Sequence, residues 1–143
     1  MISVRFVFTI LPIIVPCASL CTHTECFDSP GSFSSPGYPN IEVYWTFRDM
    51  TWLITAPPGN VINVYVNNFH IGPHFFLDYM RIYDGASKSS RSILYFREIA
   101  GPGNVSSSSN NLLVRFHSSW DYIQPAEFSV TFTFECKHSF INS

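Results

Sequence analysis

Charged side chains are scarce in this sequence. Asp, Glu, Lys and Arg make up 13% of the 143 residues, against roughly 25% in an average soluble domain. The net charge is only −2 and there is no run of basic residues, which argues against nucleic acid or an anionic membrane as a partner. The polar surface must therefore come from Ser, Thr, Asn, His and Tyr, a mix that suits an extracellular β-rich domain.

Long hydrophobic runs are also missing beyond the N-terminus. Phe6 to Val15 is apolar and follows Arg5, but Pro12 and Pro16 interrupt the stretch. A membrane span needs about 20 apolar residues, so residues 1–19 are predicted to be a secretory signal peptide. The alternative interpretation of this stretch is an N-terminal membrane anchor.

The length allows one domain with a proper core and leaves little room for a second. We expect a short N-terminal segment at residues 20–25, a single domain at 26–136 and a polar tail at 137–143. The mature protein is predicted to be secreted and extracellular, with no membrane insertion after the signal has been cleaved.

Cysteine is rare enough that each residue matters. Removal of the signal takes away Cys17 and leaves Cys21, Cys26 and Cys136, an odd number in a compartment where disulfides form. A bridge from Cys26 to Cys136 would join the two ends of the domain, and closing that loop of about 110 residues stabilises by about 4–5 kcal/mol in the chain-entropy model. Cys21 can instead pair with Cys136 or with Cys26, and spacing alone does not decide.

Helical periodicity with caps is absent, and period-two alternation between Gly/Pro turns dominates. The clearest run is Phe128–Phe134, which is predicted to turn Phe128, Val130, Phe132 and Phe134 inward. Ser29–Asn40 reads as turns around a short edge strand. The other predicted strands are Thr51–Thr55, Val61–Phe69, Tyr79–Tyr83, Ser92–Phe96 and Leu112–Phe116. Such a series predicts an all-β fold, a two-sheet antiparallel β-sandwich with a Phe-rich interior.

Several of these segments together resemble the CUB domain, an extracellular jelly-roll-like module that includes the spermadhesins. They occur in the family's order and at about its spacing. The matching segments are Gly31–Pro39 (GSFSSPGYP), Trp52–Gly59 (WLITAPPG), Asp78–Gly85 (DYMRIYDG), Asn111–Ser118 (NLLVRFHS) and Phe128–Phe134. Any one of them is a weak match, whereas five in register are specific.

The cysteines depart from the family pattern. CUB domains typically carry four cysteines in two bridges, and three of those positions fall here on Met50, Phe75 and Ala100. Both usual bridges are therefore expected to be absent. Because Cys26 matches the first family cysteine and has lost its usual mate, the resemblance favours a Cys26–Cys136 bridge.

The resemblance also bears on Asp78, which follows the apolar run before the DYMRIYDG segment. In calcium-binding CUB domains this Asp binds Ca²⁺ with an upstream Glu and a second Asp, whose positions fall here on His70 and Ser119, with Asp121 as a nearby substitute. Calcium prefers about six to eight oxygen ligands, several of them carboxylates. We therefore expect no cofactor and no metal ligands, and expect Asp78 to be held by hydrogen bonds.

Catalytic motifs are likewise missing. Neither a G-x-S-x-G nor an H-E-x-x-H pattern occurs, although His117, Ser118 and Asp121 are close in sequence. A zinc site on His70 and His74 would need a third ligand, for which His117 is the candidate, and a helical or hairpin geometry that Gly72-Pro73 disfavours. The protein is therefore predicted not to be an enzyme. Asn104-Val105-Ser106 is an acceptor sequon and predicts N-glycosylation of Asn104.

The resemblance implies a secreted module that binds an extracellular protein or a glycan. The loops Phe69–Asp78 and His117–Gln124 are predicted to carry the contact surface, since calcium-type CUB domains bring these two together. The candidate binding residues are Asp78, Ser119, Trp120, Asp121 and Tyr122. The alternative is a structural subunit of an extracellular matrix or assembly, linked through an unpaired Cys21.

Overall fold

The computed structural model describes residues 21–39, 48–70, 78–97, 102–118 and 127–137. These ranges fold into β-strands joined by turns. The strands are β1 Glu25–Phe27, β2 Gly31–Ser34, β3 Asp49–Thr55, β4 Asn60–His70, β5 Tyr79–Asp84, β6 Arg91–Phe96, β7 Gly103–Ser106, β8 Asn111–His117 and β9 Glu127–Cys136. Across the same ranges, no helix has the length and hydrophobicity that crossing a membrane requires.

The strands form two sheets, which confirms the predicted sandwich. The five-stranded sheet has the order β1-β3-β8-β5-β6, and the four-stranded sheet has the order β2-β9-β4-β7. Neighbouring strands are antiparallel except β1, which runs parallel to β3 with Cys26 opposite Leu53. The six longer predicted strands are all present, and β2 is the short edge strand predicted within Ser29–Asn40.

Alternation decides which side chains the sheets bury. In β4, Ile62, Val64 and Val66 are at most 1% exposed, while Tyr65 between them is 42% exposed. In β9, Phe128, Val130 and Phe132 are buried as predicted, and Phe134 is partly buried against the same core. Because successive side chains of a strand point to opposite faces, each strand contributes one apolar row to the interior.

Aromatic rings link the two sheets. Trp52 of β3 stacks on Phe33 of β2, with centroids 4.5 Å apart, and meets Phe128 of β9 edge-on at 5.7 Å. Phe128 also contacts Phe116 of β8 at 5.0 Å. Each fully buried side chain of this size stabilises by about 1.5–3 kcal/mol through burial, so the Phe-rich interior predicted from composition holds the sheets together.

Two short strands escaped prediction because they lack a β-favouring sequence. β1 has only three residues and is held by pairing with β3, and β7 contains Gly103 and Asn104. Gly103 is required by a close approach, since a Cβ atom there would lie 2.7 Å from Cζ of Phe96. Tertiary contacts, which a local pattern does not contain, therefore determine both strands.

The predicted Cys26–Cys136 bridge is wrong. Cys26 forms a disulfide with Cys21, and Cys136 is a free, exposed cysteine. Cys26 lies in β1 at one edge of the five-stranded sheet, whereas Cys136 ends β9 opposite Asn60 in the four-stranded sheet. The bond therefore closes a short N-terminal loop, which is expected to stabilise by about 2 kcal/mol instead of the larger figure for a domain-spanning loop. The unpaired Cys21 of the alternative function is excluded by the same observation.

Candidate functional site

The predicted binding loops begin and end next to one another. Tyr79 at the start of β5 lies opposite His117 at the end of β8. Ser118 continues this edge, because its amide donates to the Arg48 carbonyl at 2.8 Å and its hydroxyl accepts from the Arg48 amide at 3.0 Å. Arg48 follows residues 40–47, Asp78 follows residues 71–77, and Ser118 precedes residues 119–126. All three segments therefore connect to one end of the five-stranded sheet.

Asp78, the carboxylate singled out in the sequence, is buried at this edge. Its exposed fraction is 0%, and it interacts with other groups of the protein. A side chain without exposed surface cannot contact a partner directly, so Asp78 can contribute to binding only by ordering the chain around it. The other predicted binding residues, Ser119, Trp120, Asp121 and Tyr122, lie outside the described residues.

Two of the positions compared with calcium-binding CUB domains, His70 and Asp78, lie among the described residues. His70, at the position where a Glu is expected, ends β4 and lies opposite Glu127 of β9. Among the described residues, no three His, Cys, Asp or Glu side chains are grouped closely enough to hold a metal ion. The expectation of no bound Ca²⁺, which needs several carboxylate oxygens, therefore stays a prediction from the sequence, since Ser119 and Asp121 lie outside the described residues.

A second candidate surface is the outer face of the five-stranded sheet, the side turned away from the core. Arg81 of β5 lies between two cross-strand neighbours, Arg115 of β8 and Tyr95 of β6. Tyr79, two residues before Arg81 and on the same face of β5, lies opposite His117. We call this set the arginine–tyrosine face; its members are Asp49, Tyr79, Arg81, Tyr95, Arg115 and His117.

One arginine of this face is neutralised by a carboxylate. Arg115 donates from Nε and Nη2 to the two oxygens of Asp49 at 2.6 and 2.8 Å, and Lys88 reaches Asp49 at 3.2 Å. The Arg115 hydrogen bond, with a smaller effect from Lys88, lowers the pKa of Asp49 below its ordinary 3.8, although burial opposes the shift. The same contact raises the pKa of Arg115. Burial also raises the pKa of Tyr79. At neutral pH the Tyr79 hydroxyl is therefore uncharged, while Arg115 and Asp49 are both charged.

Arg81 is held differently, by aromatic rings. Its guanidinium carbon lies 4.4 Å from the ring centroid of Tyr95 and 5.5 Å from that of Tyr79. Such cation–π contacts stabilise by about 0.5–2 kcal/mol. Within the described part of the chain, Arg81 has no ion pair, and its buried Nε has no hydrogen-bond acceptor. The buried Nδ1 of His117 is likewise unpaired.

The sequence did not predict a site role for four residues of this face, namely Asp49, Arg81, Tyr95 and Arg115. The alternation in Tyr79–Tyr83 indicates that Tyr79 and Arg81 share a face, which is a usable signal. What the sequence does not contain is the register that sets Arg81 between Arg115 and Tyr95, because those residues come from strands far apart in the chain.

The predicted glycosylation sequon lies in the strand β7. Asn104 is exposed in β7, the edge strand of the four-stranded sheet, and is opposite Tyr65 of β4. The sequon serine, Ser106, donates its hydroxyl to the Asn63 side-chain oxygen at 2.6 Å. Asn104 is therefore accessible on an open sheet edge.

Comparison with known proteins decides the family. The family model of the CUB domain matches residues 21–132, which include all of β1 to β8 and most of β9. The chain belongs to the CUB domain family. The resemblance first noted in five short segments thus extends over the whole sandwich.

Relatives of this CUB domain are much longer proteins. Dog cubilin is 35% identical over 97 residues, which cover 64% of this chain and 3% of cubilin. Among solved structures, the full extracellular region of zebrafish Gpr126/Adgrg6 superposes with a TM-score of 0.66 at 22% identity, covering 80% of this chain and 15% of that one. The Ca²⁺-bound MASP-1 CUB2 domain gives 0.60 at 17% identity, covering 78% and 98%. These structural likenesses establish the shared fold.

Proposed function

We propose that the protein is a secreted recognition module that binds an extracellular protein or glycan without catalysing a reaction. Membership of the CUB family supports this proposal, as does the presence of the same fold in the extracellular region of zebrafish Gpr126/Adgrg6. The observation that carries it is the pairing of Tyr79 with His117. This pairing fixes one end of each predicted binding loop, Phe69–Asp78 and His117–Gln124, at neighbouring positions of a rigid sheet. Loops that are supported by a rigid frame are the usual carriers of binding function.

The proposed contact surface consists of the segments Phe69–Asp78 and His117–Gln124, which adjoin the paired residues Tyr79 and His117. Trp120 and Tyr122 follow β8 directly, and aromatic side chains of this kind are enriched among the residues that dominate binding energy. Ser119 and Asp121 supply neighbouring polar groups in the same segment. Asp78 acts from the interior by ordering the adjoining chain.

Replacing Trp120 and Tyr122 by Ala is expected to weaken capture of partners from extracellular fluid by about tenfold or more, since a lost aromatic anchor costs about 2 kcal/mol or more. The measurement is the amount of each partner retained by immobilised wild-type and variant protein. Tyr65→Ala, which removes an exposed aromatic side chain from the other sheet, is the matched control and is expected to bind normally. Unchanged retention by the double variant would contradict the proposed loop surface.

We also propose that Asn104 carries an N-linked glycan. Its exposure on the edge strand β7 supports this, because a bulky polar group there also protects an open sheet edge from pairing with other chains. Asn104→Gln is expected to lower the mass of the protein secreted by eukaryotic cells by the mass of one glycan. Equal masses for the two secreted proteins in mass spectrometry would show that the sequon is not used.

A further inference from the structure

We propose that the arginine–tyrosine face is a second binding surface and that it takes a short acidic segment of a partner protein. This inference goes beyond the loop surface proposed above and shares with it only the premise that the protein binds partners outside the cell. It assigns the partner's chemistry, namely side-chain carboxylates presented on a peptide.

The first reason is the arrangement of the arginines. Arg81 and Arg115 are directly opposite each other on neighbouring strands, a like-charge pair that destabilises a sheet in isolation. Asp49 neutralises Arg115, but within the described residues no carboxylate reaches Arg81. A carboxylate from a partner would supply the missing charge and accept hydrogen bonds from the guanidinium.

The second reason is that Arg81 is already oriented. The rings of Tyr95 and Tyr79 flank its guanidinium at 4.4 and 5.5 Å. A planar group fixed in this way loses little freedom when it binds a carboxylate. Tyr95 is itself 40% exposed and provides apolar area beside the charge. Arginine and tyrosine are both, like tryptophan, enriched among the residues that dominate binding energy at interfaces.

The third reason is the charge balance of the face. Lys88 and Asp49 are linked at one side, and the exposed Arg97 lies 5.4 Å from the Tyr95 ring. With Arg81 and Arg115, the described residues around this face carry four positive charges against the one of Asp49. The excess of positive charge attracts an acidic partner and repels a basic one.

The small area over which this positive charge extends favours a short protein segment as the partner, and not an anionic polysaccharide. The whole chain has eight Lys and Arg residues and a net charge of −2, and four of the eight, Arg81, Lys88, Arg97 and Arg115, belong to or adjoin this face. Polyanions are bound by long basic tracks, each of whose contacts releases counterions. A compact group of arginines flanked by aromatic rings matches two or three carboxylates on a short peptide instead.

Selection from a phage-displayed library of random peptides on the immobilised wild-type protein tests the proposal. Enriched peptides are expected to contain Asp and Glu well above their frequency in the starting library. Arg81→Gln is expected to lower the affinity for a selected peptide by about tenfold or more, because it removes a charge-assisted contact. Arg81→Lys keeps the positive charge but loses the planar guanidinium. Its affinity for the peptide is expected to lie between those of the wild type and Arg81→Gln.

Arg91→Gln is the matched control. It removes the same charge from the neighbouring strand, but Arg91 is 76% exposed and pairs with Asp84 away from the tyrosines. It is expected to bind the peptides as the wild type does. Thermal unfolding of each variant verifies that the fold is retained, and Tyr95→Ala is a second variant that should also lower peptide affinity.

The proposal would be overturned if the selection enriched no peptides, or enriched peptides without an excess of Asp and Glu. It would also be overturned if Arg81→Gln and the wild type bound a selected peptide with equal affinity. Binding of the anionic polysaccharide heparin without binding of peptides would contradict it as well. None of these results bears on the loop surface. That surface is tested by Trp120 and Tyr122 variants on captured natural partners, so each proposal can fail while the other stands.

Discussion

Trp52→Ala is expected to lower the free energy of unfolding by about 3–5 kcal/mol, the usual loss when a buried aromatic side chain is truncated. Trp52 is 2% exposed and lies on β3 of the five-stranded sheet. Its ring partners, Phe33 and Phe128, both belong to the four-stranded sheet. The substitution therefore removes both apolar burial and aromatic contacts between the two sheets.

Urea unfolding followed by circular dichroism measures this loss. The midpoint should fall while the slope stays constant, which identifies a change of stability and not of compactness. Tyr65→Thr is the control, because it changes an exposed aromatic residue to one that also favours strands; its effect should stay within about 0.5 kcal/mol. A Trp52→Ala protein as stable as this control would mean that the two sheets do not pack through Trp52.

Ser107→Ala is expected to destabilise by about 1–3 kcal/mol, although it removes only one oxygen atom. The Ser107 hydroxyl accepts from the buried Ile62 amide at 2.8 Å and donates to the Ser109 carbonyl at 2.6 Å. The Ser107 amide in turn donates to the Ile62 carbonyl. Alanine would leave the Ile62 amide without its acceptor in a place that is closed to water, since Ser107 is 5% exposed.

The same unfolding experiment compares Ser107→Ala with Ser109→Ala. Ser109 is exposed and contributes its backbone carbonyl to this contact, so its side chain can be removed with little expected change. Equal stabilities of the two variants would contradict the role assigned to the Ser107 hydroxyl. Because Ser107 lies directly after β7, a large difference would also show that this unpredicted strand depends on side-chain capping.

The sequence was sufficient for the architecture because burial follows alternation. Runs such as Phe128–Phe134 have one obvious apolar face, and without helices to cover them a two-sheet sandwich is a stable way to bury many such faces together. The same reasoning failed for β1 and β7, whose short, Gly- and polar-containing sequences become strands through their neighbours. It failed again for the disulfide, since the position of Cys26 depends on the parallel pairing of β1 with β3.

The candidate surfaces were predictable to different degrees. Asp78 was noticed because a carboxylate beside an apolar run is costly unless it is satisfied, and it is indeed buried. The arginine–tyrosine face was missed because its members come from four strands and meet only through register. A one-residue shift of β8 against β5 would have turned Arg115 to the other face of the sheet.

The account's central claim is that this CUB domain recognises an extracellular partner through side chains alone, without calcium. The most direct test is capture of partners from extracellular fluid by the immobilised protein, in buffer with Ca²⁺ and in buffer with EDTA. We predict the same partners in the same amounts under both conditions, since His70 and Ser119 stand where calcium-binding CUB domains carry carboxylates. Loss of the captured partners in EDTA, with recovery when Ca²⁺ is restored, would contradict the claim.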